Sequence, residues 1–210
     1  MDCVLTDDLD TTNPQVTCGA DVTVGQESVD PCGDDARRRF CGPLPFLIRR
    51  DGTWLYRGTP VRRKPMICLF SSVLTRDKAG RYWLDTPTEH GSIDVEDVPF
   101  VAVELEWRGQ GRSQVLSFRT NVDETVCAGP EHPIRVDWDV PCEGCGTGPV
   151  PYLHVRSGEG RFAIEARLSR AVYYELAALA EPGCCNGVPC LGVWSQSRFF
   201  PLARLPAPAT

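Results

Sequence analysis

The chain has no apolar run approaching the ~18 residues that a membrane-spanning helix needs. Its first residues, MDCVLTDDLDTTNPQ, offer neither the basic start nor the apolar stretch of a secretory leader. Both absences point to a cytoplasmic protein with no membrane partner. Basic residues are missing altogether from residues 1–36, which carry nine of the chain's 28 acidic residues. An acidic segment with few large apolar side chains cannot offset its ordering entropy by burial, so 1–36 is expected to be a disordered tail. The closing residues, 204–210, are expected to be a disordered end. No stretch matches a nucleophile elbow, a phosphate-binding glycine-rich loop or an HExxH zinc motif. The three histidines, His90, His132 and His154, are far apart, with no Cys or Ser partner suggested by spacing. Nothing in this inventory makes a strong case for nucleic acid.

What is present is an ordinary soluble composition, 42% hydrophobic and 24% charged over 210 residues. Removing the acidic segment leaves a body, 37–210, with 22 basic against 19 acidic residues, mildly positive where the whole chain is negative. Within it Arg37, Arg38, Arg39, Arg49, Arg50, Arg57, Arg62, Arg63 and Lys64 face only Asp51. As a group they attract an anion; individually most read as solvated strand-face residues. There are 11 cysteines, an odd count, and without a secretory leader a disulfide framework is not expected. Cys68 falls on a helical stretch and reads as a buried, inert thiol.

Two segments look like variants of one unit. PFLIRRDGTWLYRGTPVRRKPMICLFSSVL begins at Pro45 and PYLHVRSGEGRFAIEARLSRAVYYELAALA at Pro151. Each opens with an apolar strand, turns at a glycine-containing stretch and returns as a second strand. A helix follows. Met66, Leu69, Phe70 and Val73 recur at helical spacing and predict its buried face, as Val172, Leu176 and Leu179 do in the second segment. Pro65 suits the first helical turn. Another hairpin follows each helix: RYWLDTPTEHGSIDVE and LGVWSQSRFFPL. The unit is ββαββ, twice. Between the copies, Val101, Val103, Leu105 and Trp107 alternate with polar or small residues, as do Leu116, Phe118 and Thr120, and Ile134, Val136 and Trp138. That period of two predicts antiparallel strands with one buried face, RGQGRS forming a hairpin turn and NVDE a tighter corner. The expected fold is α+β and mostly antiparallel sheet, with a helix on each half. Its N-terminal half is placed at 37–97 and its C-terminal half at 98–203.

The ordered segments DGTWLYRGTPVRRKP, LFSSVL, RYWLDTPTE, VEDVPFVAVELE, FRTNVDE, EHPIRV, PYLHVR and GVWSQSRFFP resemble the bacterial domain-of-unknown-function family 1285 from about Cys41 to Pro201. The resemblance implies a duplicated core whose C-terminal half is superficially pleckstrin-homology-like. It also implies a cleft between the halves for a small, nucleotide-like ligand, and a signalling role. The cysteine-rich stretches PCEGC and EPGCCNGVPC depart from the pattern.

The candidate ligand residues are Arg63 and Lys64 before the first helix, Thr86 and Glu89 of TPTE, Asn121 and Asp123 of TNVDE, Arg156, and Trp194 as a stacking surface. Each has a plainer reading: a solvated basic edge for Arg63 and Lys64, turn-closing hydrogen bonds for Asn121 and Asp123, core packing for Trp194. Cys142 and Cys145 precede GTGPVP, which cannot start a helix, so a thioredoxin-like pair is excluded. A zinc site would need Cys185 and Cys190 as well; two loops with exposed thiols is the preferred reading. The functional expectation is non-catalytic binding of a small anionic ligand between the halves, in a signalling or regulatory role. The alternatives are an enzyme on nucleotide-type substrates, using Asp123 and Glu89, and a protein-interaction adaptor.

Overall fold

A computed structural model describes residues 39–142, 146–157 and 162–205. The acidic segment, Cys145 and the turn at Gly158–Gly160 lie outside the described residues, as do 206–210 and the side chain of Cys142. Arg204, expected in a disordered end, instead closes a strand, and Leu205 N donates to Pro189 O at 3.0 Å.

The N-terminal sheet is built from β1 (Arg39–Ile48), β2 (Trp54–Tyr56), β3 (Thr59–Pro60), β4 (Leu74–Arg76), β5 (Tyr82–Asp85) and β6 (Glu89–Val95), with α1 (Lys64–Ser72) between β3 and β4. Strand order is β3-β2-β1-β6-β5-β4. The second sheet takes β7 (Phe100–Arg108), β8 (Val115–Thr120), β9 (Thr125–Cys127), β10 (Ile134–Cys142), β11 (Gly146–Ser157) and β12 (Ala163–Leu168), in the order β10-β11-β12-β7-β8-β9. After α2 (Arg170–Ala178), three antiparallel strands, β13 (Glu181–Cys185), β14 (Val188–Ser195) and β15 (Arg198–Arg204), form a third sheet. The fold is α+β, mostly antiparallel and duplicated.

Three details differ from the sequence expectation. Each helix is followed by three strands rather than a hairpin alone, because β4 and β13 lead directly from the helices into the hairpins. Each six-stranded sheet is closed by one parallel pair, β1 with β6 and β12 with β7. The third difference is on β7, where Phe100, Ala102 and Leu105 are buried while Val103 and Trp107 are exposed. The ladder accounts for the change of phase: Ala102 pairs with Thr120 but Glu104 with Arg119, so a bulge inserts one residue and burial passes from Phe100 and Ala102 to Leu105. Trp107, in phase with Leu105, is exposed nonetheless.

α1 also presents a different face from the one expected. Met66 and Leu69 are exposed, Leu69 by 63%, whereas Ser71 is buried and Ile67, Cys68, Phe70 and Val73 pack against the core. The helix has two apolar sides, and its spacing alone does not say which one the sheet covers. Pro65 stands in its first turn as expected. α2 follows its pattern: Ser169 caps it by accepting from Val172 N at 3.3 Å, and Val172 and Leu176 are buried. Trp54, Phe100 and Phe118 are wholly buried, and side chains from both halves join one apolar core. Among the described residues no helix is long and apolar enough to cross a membrane.

Candidate functional site

An apolar cavity lies in the N-terminal half and holds about 500 Å³, within the usual range for small-molecule sites. Leu44 and Phe46 on β1, Tyr56 on β2, Met66 and Phe70 on α1 and Leu84 on β5 form its walls. The Phe46 ring meets Tyr56 at 4.9 Å and Phe70 at 5.0 Å between centroids, which fixes the aromatic wall. Behind it the wholly buried Trp54 has an indole Nε1 without a hydrogen-bond partner among the described residues. Tyr56 reaches the cavity because β2 and β3 are joined by Arg57–Gly58, a two-residue turn with both φ angles positive, at 50° and 77°.

Two sequence candidates line this cavity, Thr86 and Glu89. The Thr86 hydroxyl donates to Glu89 O at 2.9 Å and receives Glu89 N at 2.9 Å, so it shapes the loop rather than awaiting a ligand. The exposed Glu89 carboxylate has no side-chain partner among the described residues. Arginines border the aromatic wall. The Arg57 guanidinium stands 5.4 Å over the Tyr56 ring, Arg62 follows the lining residue Val61, and Arg63 is the N-cap of α1. Among the described residues none of the three has a carboxylate partner.

Lys64, Asp123 and Arg156 tie α1 to the C-terminal half, and Asn121 ties the turn at Gly52 to it. Lys64 Nζ meets Asp123 Oδ1 at 2.7 Å, and Arg119 holds the same oxygen at 2.7 Å while chelating Glu104. Lys64, then Arg119, holds the Asp123 carboxyl below the usual aspartate range, and Arg119 does the same to Glu104. Asn121 Oδ1 accepts from Val101 N at 3.0 Å and its Nδ2 donates to Gly52 O at 3.2 Å. Arg156 donates to Glu124 Oε2 at 2.6 Å and to the Ser71 carbonyl at the end of α1, with Phe100 beneath it at 5.2 Å. Cys68, half-buried, gives its thiol to Val122 O at 3.4 Å. Lys64, Asn121, Asp123 and Arg156 therefore meet protein groups.

A cavity of about 400 Å³ brings β4–β6 residues together with Phe162 of the other half. Trp83 on its wall is covered by Arg81 at 5.1 Å and by His90 stacked at 4.6 Å, so a base would have to displace one of them. Asp77 there is also committed. Desolvation pushes its carboxyl up, but N–H donors from Arg81, Trp83 and Ala79 outweigh that and hold it at about 2. Trp194 lies elsewhere, packed on Phe199 at 5.2 Å under Arg112 at 4.8 Å. Cys185 and Cys190 lie on adjacent strands and line a smaller cavity with Trp138. No group of three or more His, Cys, Asp or Glu among the described residues is placed to hold a metal ion.

The sequence signal for the apolar cavity was available but ambiguous. Met66 and Phe70 stand one turn apart on α1, and an i, i+4 apolar pair reads equally as core or as a pocket wall.

Two mixed sheets, each closed by a parallel pair and each associated with one helix, define a duplicated α+β protein. The chain belongs to the DUF1285 family: the N-terminal domain of unknown function matches residues 36–98 and the C-terminal domain of the protein of unknown function matches 99–202. It is similar to the crystal structure of a DUF1285 family protein from Silicibacter pomeroyi DSS-3, with 41% identity and a TM-score of 0.69, covering 85% of this chain and 91% of that one. A DUF1285 family protein from Shewanella baltica OS155 is 27% identical, with a TM-score of 0.45, over 63% of this chain and 89% of that one. No curated protein matches the chain.

Proposed function

We propose that this protein binds a small amphipathic anion in the apolar cavity of its N-terminal half, without catalysis, as a sensor or regulator. The observation that carries the reading is the pairing of an aromatic-walled cavity of about 500 Å³ with three arginines beside it that have no carboxylate partner among the described residues. The apolar body of the ligand lies among Phe46, Tyr56, Met66 and Phe70. Its anionic end faces Arg57, Arg62 and Arg63, where charge-assisted hydrogen bonds exceed neutral ones in strength. The ligand class expected from the sequence is kept; its place moves from between the halves into the first of them.

The enzyme alternative loses ground on Asp123. Its carboxylate is held by Lys64 and Arg119, and a depressed pKa makes it a weak base near neutrality.

Thermal-shift and calorimetric titration with decanoate, indole-3-acetate and adenosine monophosphate test the reading. At least one of them should raise the melting temperature of the wild type. Met66→Asp, at an exposed position on the cavity wall, and Arg63→Glu should each weaken that binding by about tenfold or more. A flat response to all three probes, or unaltered affinity in Met66→Asp, would refute it.

A further inference from the structure

We infer that a second cavity, in the C-terminal half, is a binding site for a small molecule carrying an ammonium or guanidinium group. The site is independent of the one proposed above. It holds about 570 Å³ and is lined by Glu124, Cys127, Gly129, Glu131, His132 and Gln196, among others, with no Lys or Arg among the described residues of its wall. Three of the sequence motifs meet there: TNVDE supplies Glu124, the nearby EHP supplies Glu131 and His132, and WSQS, distant in the chain, supplies Gln196.

The polar groups of this wall are mostly acceptors. His132 Nδ1 lies 3.2 Å from the carbonyl oxygen of His154, which can only accept, so Nδ1 carries the proton. In the neutral ring Nε2 is then an acceptor. Glu124 gives one carboxylate oxygen to Arg156, and the exposed Glu131 has no side-chain partner among the described residues. The two nearby guanidiniums are turned to protein oxygens, Arg156 to Glu124 and Ser71 and Arg198 to Pro130 O at 3.5 Å. A wall rich in acceptors, with no Lys or Arg among its described residues, disfavours an anion and favours a ligand rich in N–H donors.

The placement of Gln196 is specific. The Gln196 amide lies directly against Gly129, in the space a Cβ there would occupy. Gln196 and Ser197 form the β14–β15 turn with φ of 49° and 63°, the left-handed region, where the other two-residue turns place a glycine second: Gly58 and Gly187. Two backbone bonds hold the turn there, Gln196 N to Gln114 O at 2.9 Å and Ser197 N to Arg112 O at 3.0 Å. The strained turn delivers one amide to the cavity.

The experiment is thermal shift and calorimetry at about pH 8 with agmatine and putrescine as probes, run on wild type, Glu131→Gln and Gln196→Gly. Agmatine or putrescine is expected to raise the wild-type melting temperature, with affinity falling about tenfold in Glu131→Gln. Gln196→Gly separates binding from stability. Glycine relieves the left-handed strain, so the variant should melt higher than wild type yet respond less to the probe. No shift with either probe, or a shift of wild-type size in either variant, overturns the inference.

Discussion

Asn121 Nδ2 donates to the carbonyl of Gly52 across 3.2 Å, joining a turn of the first sheet to the β8–β9 corner of the second. Its Oδ1 takes Val101 N at 3.0 Å, and its backbone N–H reaches Val101 O at 2.8 Å. One amide thus fixes three chain segments where the halves meet. Asn121→Ala leaves Val101 N–H and Gly52 C=O unpaired in a half-buried place, and should cost about 1–3 kcal/mol in urea denaturation. Gly52→Ala should be at least as damaging. Gly52 has φ +82°, and a Cβ there would come within 2.6 Å of the Asn121 nitrogen. Equal midpoints for wild type and Asn121→Ala would show that the strut carries no load.

Arg156 is the second tie between the halves. Its guanidinium joins Glu124 to the carbonyl of Ser71 and lies over Phe100. Lysine keeps the charge but not the planar fork, so Arg156→Lys should lose about 1–3 kcal/mol, and Arg156→Met should lose more because Glu124 is left unpaired. Hydrogen exchange gives a readout that stability alone does not: amides at the end of α1 and in residues 120–127 should lose protection together. Loss confined to one of these segments would contradict the coupling.

The histidine pair gives a pH dependence with a definite sign. Burial, then the neighbouring His132 ring at 5.4 Å, pulls the His154 pKa below the ordinary value of 6.5. As pH falls through 6.5 the unfolded chain takes up a proton that the folded chain refuses, so the native state loses stability until the lower folded pKa is reached. Above the unfolded pKa both forms are neutral and the effect vanishes. Urea midpoints between about pH 8 and pH 5 should therefore fall more steeply for wild type than for His154→Gln. Parallel curves would remove His154 from the account.

Much of the architecture was legible because alternation and helical spacing are local. Leu116, Phe118 and Thr120 are buried as their period of two demands, and Val172 and Leu176 as their spacing demands. Val103 was misplaced because a bulge shifts the phase of β7, and no local pattern marks where it falls; Trp107 keeps the phase of the buried Leu105 and is exposed nonetheless. β13 was missed despite a strong signal. Asn186–Gly187 in CCNGVPC is a hairpin turn with φ of 52° and 80°, overshadowed by the cysteines around it. The candidate site was harder still. Lys64 and Asp123 are 59 positions apart, and the sequence carries no sign that each satisfies the other. Thr86 and Glu89 were named because polar loops between strands collect binding groups, and both line the cavity, but the aromatic wall beside them reads as core until the fold leaves it open.

The parallel pairs bear on how the chain acquires its shape. β1 leads the first sheet in sequence yet lies at its centre, with Arg39 set beside Glu89. A ribosome must therefore release β6 before β1 can be flanked on both sides, and β12 before β7 can be. Until then the hairpins and helices can form, but the middle of each sheet has an open edge. Loop closure over that separation is entropically slow, and such edges are where newly made chains stick to one another. The duplicated topology thus gives this protein two such intervals during synthesis, one for each sheet.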